Sequence, residues 1–381
     1  MRWWLSHSSD QGIGSAAPIT LEAMSASRVA LPVGASLGEL VQALVDSESP
    51  SGSEASLADA IEAVLSGVSH LEVLRVGNTV AARTNLARSR RVIWAGHIDT
   101  VPSHNNLPSR TTDGWLWGRG SVDMKAGVAI GLKLAVEMME PVHDVTWIFY
   151  DNEEVESSKN GLGLFGAAHP EWVHADLAIV GEPTNAAIEA GCNGTLRVEV
   201  STQGLRAHSA RSWMGKNAIH AASGILARLE SYQPAEIDVD GLVYREGLNA
   251  VAISGGVAGN VIPDLCTVTI NYRFAPGKSI AEAIDHVSRV FEGFSVAVVD
   301  QAAAAKPGLS QPLFHEFVGA LGKAVGPKYG WTDVARFSEW GIPALNYGPG
   351  DPSLAHTDDE RVELAQVEEI FASLSSWLTG T

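Results

Sequence analysis

Three short apolar runs, each followed at once by acids or a histidine, restrict what this chain can become. Val92–Ile98 (VIWAGHI), Val145–Tyr150 (VTWIFY) and Ala175–Val180 (ADLAIV) are β-branched and aromatic with no polar alternation. Such runs read as strands buried on both faces of a sheet. A helical pattern over Ala126–Met139 lies between the first two, and Pro141 ends it. Strands alternating with helices point to βαβ units and an α/β fold with a mainly parallel sheet. His97 and Asp99 follow the first run, Asp151, Glu153 and Glu154 the second, and Glu182 the third. In an open parallel sheet the carboxyl ends of the strands are where ligand sites form. Asp123 stands just before the Ala126 helix, where the helix N-terminus favours a carboxylate.

The pattern changes in the middle of the chain. Leu196–Ser201 alternates as a half-exposed strand, Asn217–Tyr232 is helical, and Asn249–Val257 and Thr267–Phe274 are strands. A helix over Ile280–Phe291 and a strand over Ser295–Val299 complete a β-α-β-β-α-β order, the ferredoxin-like α+β arrangement. Residues 192–302 are therefore expected as an inserted domain within a larger one built from 31–191 and 303–381. The 381 residues exceed what one compact core usually holds, which agrees with two domains. After Ala302–Ala305 the α/β pattern resumes, with a strand at Pro343–Tyr347 and a last helix near Leu364–Leu378. Residues 1–30 read as a poorly ordered extension with no signal-peptide pattern.

The formal charge of −18 speaks against nucleic acid or an anionic membrane surface as a partner. No apolar run reaches the roughly 20 residues that span a bilayer. Two cysteines, Cys192 and Cys266, make neither a disulfide framework nor a thiolate metal site, and they suit a reducing cytoplasm.

Imidazole and carboxylates without thiolate select a hydrolytic metal centre, zinc first, with cobalt or manganese able to substitute. Asp99, two residues beyond His97, is placed to hold the imidazole in its ligating tautomer. Side chains of adjacent residues on an extended segment point to opposite faces, so Glu153 and Glu154 are expected to do different work, one on the water and one on a metal.

Five segments carry a resemblance: GHIDTVP (96–102), GRGSVDMKAG (118–127), DNEE (151–154), GEPT (181–184) and LAHTDDE (354–360). In order and spacing they resemble the metal-site motifs of the M20 zinc peptidase and deacylase family, which includes acetylornithine deacetylase, carboxypeptidases and succinyl-diaminopimelate desuccinylase. The resemblance implies two zinc ions per subunit, one bound by His97 and Glu182, the other by Glu154 and His356, with Asp123 bridging. It implies Glu153 as the base that takes a proton from the attacking water and passes it to the leaving amine. It also implies a homodimer, closing so that His208 of the inserted lid polarises the scissile carbonyl in the other subunit.

Further stretches, among them GCNGTLRV (191–198), RAHSARSWMGKNAIH (206–220) and YGWTDVARF (329–337), resemble the actinobacterial desuccinylases of that family. They imply N-succinyl-LL-2,6-diaminopimelate as substrate; acetylornithine or another N-acyl amino acid is the alternative within the family. One departure stands out. Cys192 and Asn193 occupy the place where the proteobacterial form has a basic residue, so its carboxylate contacts do not carry over. Such a substrate needs fixed cations, and Arg211, Arg273 and Arg336 are candidates because Arg binds carboxylates bidentately. Asn260 is a candidate for the substrate backbone. Gly161–Gly166 (GLGLFG) matches G-x-G-x-x-G, but it does not directly follow a strand, and dinucleotide binding is not expected.

Overall fold

A computed structural model of the protein describes residues 29–381. The extension expected over 1–30 lies outside the described residues except for Val29 and Ala30. The three apolar runs form the strands Arg91–His97, Asp144–Tyr150 and Leu177–Val180, which lie side by side at the centre of an eight-stranded sheet. With Ala344–Asn346 they are four neighbours running parallel. Antiparallel strands Glu72–Val76 and Thr79–Arg83 extend one side, and Ile188–Ala190 and Val325–Pro327 the other.

Both faces of this sheet are covered, which explains the unbroken hydrophobicity of its central strands. One face carries Trp94, Trp147 and Phe149 under the helices Leu37–Asp46, Ala126–Glu137 and Leu364–Thr379; the other carries Ile93, Ile148 and Tyr150 under Gly161–Ala168 and Val334–Glu339. The GLGLFG segment begins this Gly161–Ala168 helix. Its glycines serve close packing, since a Cβ at Gly163 would stand 2.5 Å from Arg336 Nη1.

The inserted unit has its own core. Four antiparallel strands in the order Gly247–Gly255, Leu265–Phe274, Gly194–Gln203 and Ser295–Ala302 bury Leu196, Val198, Val200 and Ile270 beneath its helices. The helix Ile280–Val290 starts with a capping box between Ser279 and Glu282 and turns Ala283 and Val287 inward. The helix expected over Asn217–Tyr232 is two segments, Ala218–Ala221 and Ser223–Ser231, meeting at Ala222. Helices cover one face of this sheet only, so Thr195, Arg197 and Glu199, which alternate with the buried residues, point from the other. A hairpin of Glu236–Val239 and Leu242–Arg245, not foreseen from the sequence, links this unit to the large sheet: Tyr244 donates to the Ala190 carbonyl at 2.6 Å.

Among the described residues no helix is long and apolar enough to cross a membrane.

Candidate active site

The parallel strands deliver their acids and histidine to one edge, as their endings imply. His97 closes the strand Arg91–His97 and is 1% exposed. Its Nδ1 lies 3.0 Å from the Asp99 carbonyl oxygen, which can only accept, so Nδ1 carries the proton. That leaves Nε2 facing acids, 3.0 Å from Asp123 Oδ1 and 3.8 Å from Glu182 Oε1. On the other side, His356 Nε2 lies 2.8 Å from Glu154 Oε1 and 3.4 Å from Asp123 Oδ2. Asp123 thus turns one carboxylate oxygen to each histidine. His356 sits at φ +64°, a left-handed conformation that only a few per cent of non-glycine residues adopt.

The donor set can be tested for metals on its own chemistry. His97, Asp123 and Glu182 converge their ligand atoms within 4.8 Å of one another; so do Asp123, Glu154 and His356. Every atom aimed inward is a carboxylate oxygen or an imidazole nitrogen able to offer a lone pair. Two such sets joined by one carboxylate fit a pair of divalent cations. The protein's own charges show the same need. Burial, with the Asp123 carboxylate beside it, pushes Glu182 up to about 8. Burial likewise raises Glu153 well above the usual carboxylate range; the charge of His97 opposes this, while Glu154 and Glu182 add to it. Hydrogen bonds to Asp123 and Glu154 push His356 up to about 10.

Asp99 does more than face the imidazole. Its Oδ1 accepts from Glu153 N at 3.0 Å and its Oδ2 from Glu154 N at 3.2 Å, with Ser51 Oγ at 2.7 Å. One carboxylate therefore positions both members of the Glu-Glu pair through their backbone. A second positioning pair, Arg119 and Glu360, escaped the sequence reading although both lie inside the motif segments. They meet at 2.6 Å, 2% and 1% exposed, and Glu360 Oε1 accepts from Val122 N and Asp123 N, each at 3.2 Å. Glu360 thereby ties the segment bearing His356 to the loop bearing Asp123.

The cluster opens into a cavity of about 370 Å³, a size ordinary for a small-molecule site. Asp123, Glu153, Glu154, Glu182 and His356 line one side; Arg197, Arg273, Thr195 and Asp300 of the inserted sheet line the other, with Ser157, Asn160 and Trp331 between. Of the expected cations, only Arg273 faces this space. Arg336 donates to Asp333 Oδ1 at 2.9 Å and to Ser157 Oγ at 3.2 Å, neutralised beneath the wall. His208, Arg211 and Asn260 gather elsewhere on the inserted unit: His208 pairs with Val261 across a two-stranded ladder and Ser209 N donates to the Asn260 carbonyl at 2.9 Å. None of these three lines the cavity. Arg197 and Asp300 were missed. Arg197 alternates outward on its strand, a pattern that does not distinguish a cavity wall from solvent. Asp300 lies one residue past the strand expected over Ser295–Val299, next to a register shift.

The sequence profile of peptidase family M20/M25/M40 matches residues 93–379, most of the chain and every residue of the cluster. The chain belongs to that family. Among M20 relatives, a putative succinyl-diaminopimelate desuccinylase of Mycobacterium tuberculosis is 54% identical over 345 residues, covering 90% of this chain and 98% of the relative. A succinyl-diaminopimelate desuccinylase of Corynebacterium glutamicum is 49% identical over 351 residues, 89% and 95% of the two chains. The M20 fold is equally plain in solved structures. A metallo-carboxypeptidase of Sulfolobus solfataricus superposes with a TM-score of 0.73 at 15% identity, covering 91% of this chain and 99% of that one. A dinuclear metal-binding peptidase of Bacillus subtilis does so with a TM-score of 0.65 at 16% identity, covering 90% and 96%.

Proposed function

We propose that the chain hydrolyses N-succinyl-LL-2,6-diaminopimelate to succinate and LL-2,6-diaminopimelate, in the synthesis of diaminopimelate and lysine. The observation that carries this reading is a cavity with two sets of candidate metal ligands sharing one carboxylate on one wall and arginines on the other, in a chain about half identical to desuccinylases along nearly its whole length. An amide whose substituents bear three carboxylates suits such a two-sided site.

His97, Asp123 and Glu182 would hold one zinc ion, and Asp123, Glu154 and His356 the second, with cobalt or manganese as substitutes. When bound, the ions supply positive charge that polarises the scissile carbonyl and lowers the pKa of a nearby water. The side chains do the rest. Glu153, free of the pairings that hold Glu154, takes the proton from the attacking water and delivers it to the departing nitrogen as the C–N bond breaks. Asp99 keeps Glu153 and Glu154 in register by their backbone. Arg273 holds a substrate carboxylate.

The remaining expected residues fit a homodimer. The strand Gly247–Gly255 is a sheet edge with Val251 59% and Ile253 53% exposed, a surface for a second copy. His208, with Asn260 and Arg211 near it, would serve the cavity of the other subunit, residues 192–302 acting as the lid. Both cysteines are free and buried, which suits the cytoplasm.

The test is turnover by the zinc-loaded protein of succinyl-diaminopimelate against acetylornithine. A preference for acetylornithine refutes the substrate; light scattering that finds only monomer refutes the dimer.

A further inference from the structure

The wall opposite the histidine–carboxylate cluster is made by the uncovered face of the inserted sheet. Arg197 lies on the strand Gly194–Gln203, opposite Asn271 of one neighbouring strand and Asp300 of the other. Arg273 lies diagonal to Arg197, two residues beyond Asn271. All three charged residues line the cavity. Among the described residues, none of the three side chains makes an ion pair or a hydrogen bond, although the ion pairs elsewhere in the molecule are numerous. Burial lowers the pKa of Arg273, and the charge of Arg197 pushes the same way. Of the charged residues this face lends to the cavity, Arg197 and Arg273 are positive and only Asp300 is negative, so a further anion is favoured there.

We propose that Arg197 and Asp300 together read the far end of the substrate. Arg197 takes the distal carboxylate and Asp300 the distal ammonium. The inference rests on the desuccinylase reading. In N-succinyl-LL-2,6-diaminopimelate the end remote from the scissile amide is a free amino acid, carrying one charge of each sign on a single carbon. Neighbouring strands present an arginine and an aspartate at paired positions, each free to form a charge-assisted hydrogen bond with that end. An acylated diamine with no distal carboxylate leaves Arg197 unpartnered at the cavity wall. Selectivity between the two then comes from the chain's own sheet, apart from the hydrolytic centre. Arg273, more buried than Arg197, remains for a carboxylate nearer the amide.

The experiment uses the metal-loaded full chain and three substrates: N-succinyl-LL-2,6-diaminopimelate, N-succinyl-L-lysine, which lacks the distal carboxylate, and N-succinyl-2-aminopimelate, which lacks the distal ammonium. Arg197→Gln is expected to lower kcat/KM for the first about tenfold or more, mainly through KM, the factor for one charge-assisted hydrogen bond. Its effect on the lysine analogue is much smaller, so the ratio between them collapses. Asp300→Asn collapses the ratio against the aminopimelate analogue instead. Equal effects on all substrates, or none, overturn the inference. Independently of any variant, it is overturned if the unaltered enzyme turns over the lysine analogue as efficiently as the full substrate. Failure of the unaltered enzyme to hydrolyse any succinylated substrate would instead strike the proposed function, and the inference with it.

Discussion

Two sets of buried carboxylates in this molecule have opposite surroundings. Glu246, in the inserted unit, is 6% exposed and fully provided for: Ala275 N donates to it at 2.9 Å, Lys278 Nζ at 2.9 and 3.1 Å, and the Tyr272 hydroxyl at 2.8 Å. Burial alone would raise its pKa, but these donors bring it below the ordinary value. Glu182, buried, and Glu153, half-buried, stand at the strand ends of the large sheet and face other acids. Burial raises both, Glu182 to about 8. A buried acid with its donors built in is part of the scaffold. A cluster of acids and imidazoles whose positive charge must come from outside is a site.

The comparison predicts that removing a member of the second set costs activity, whereas removing Glu246 costs only stability. The largest effect is expected for Glu153→Ala, with kcat falling about 10²–10⁴-fold while metal content, measured by elemental analysis, stays unchanged. An active Glu153→Ala protein with full metal would remove that residue from the mechanism. Next is Glu360→Gln, which weakens the pairing with Arg119 and the acceptor for Asp123 N. Metal affinity, read by chelator competition, should drop about 10–100-fold, with a changed visible spectrum of the cobalt form, which marks altered ligand geometry rather than general unfolding.

The two sets also differ in the sign of their pH dependence. For Glu182 in the metal-free chain, the folded pKa is raised, so the unfolded state ionises first and stability falls as pH rises from about 4.5 to about 8. His356, raised from 6.5 to about 10, contributes stability that is complete below 6.5 and lost as pH rises to 10. Glu246 acts the other way. Its pKa is depressed on folding, so its contribution is present above the unfolded value of 4.5 and lost as pH falls through the folded one. Melting of the metal-free protein should therefore move to lower temperature from pH 5 to pH 9, and saturating zinc should flatten or reverse that slope. A slope unchanged by zinc would separate the cluster from the metal. The smallest effect is Glu246→Gln, about 1–3 kcal/mol of stability, with the acid-side slope reduced and kcat nearly unaltered.

Much of this was legible along the chain because the relevant signals are local. VIWAGHI, VTWIFY and ADLAIV are buried strands by composition, and their polar endings place His97, Glu153, Glu154 and Glu182 on one edge by the geometry of a parallel sheet. The alternating pattern around Leu196–Ser201 and Thr267–Phe274 marked the second sheet. What stayed hidden were pairings between distant segments. Arg336 read as a free cation, and only the fold shows Asp333 and Ser157 taking its charge. Glu360 read as the end of a motif, and only the fold carries its carboxylate to the backbone of Asp123. Arg197 was passed over because an outward arginine on a strand has no mark in sequence that tells solvent from a cavity wall.

The sequence by itself determined the element types, the class of fold and the kind of atoms offered to a metal. Side-chain chemistry and hydrophobic period are properties of neighbouring residues, and they survive without a third dimension. Tertiary structure decided which oxygen of Asp123 meets which histidine, which arginines keep an unspent charge, and that the uncovered face of one sheet closes over the edge of another. Those outcomes depend on distance and burial between residues far apart in the chain, and electrostatic energy is set by those two quantities.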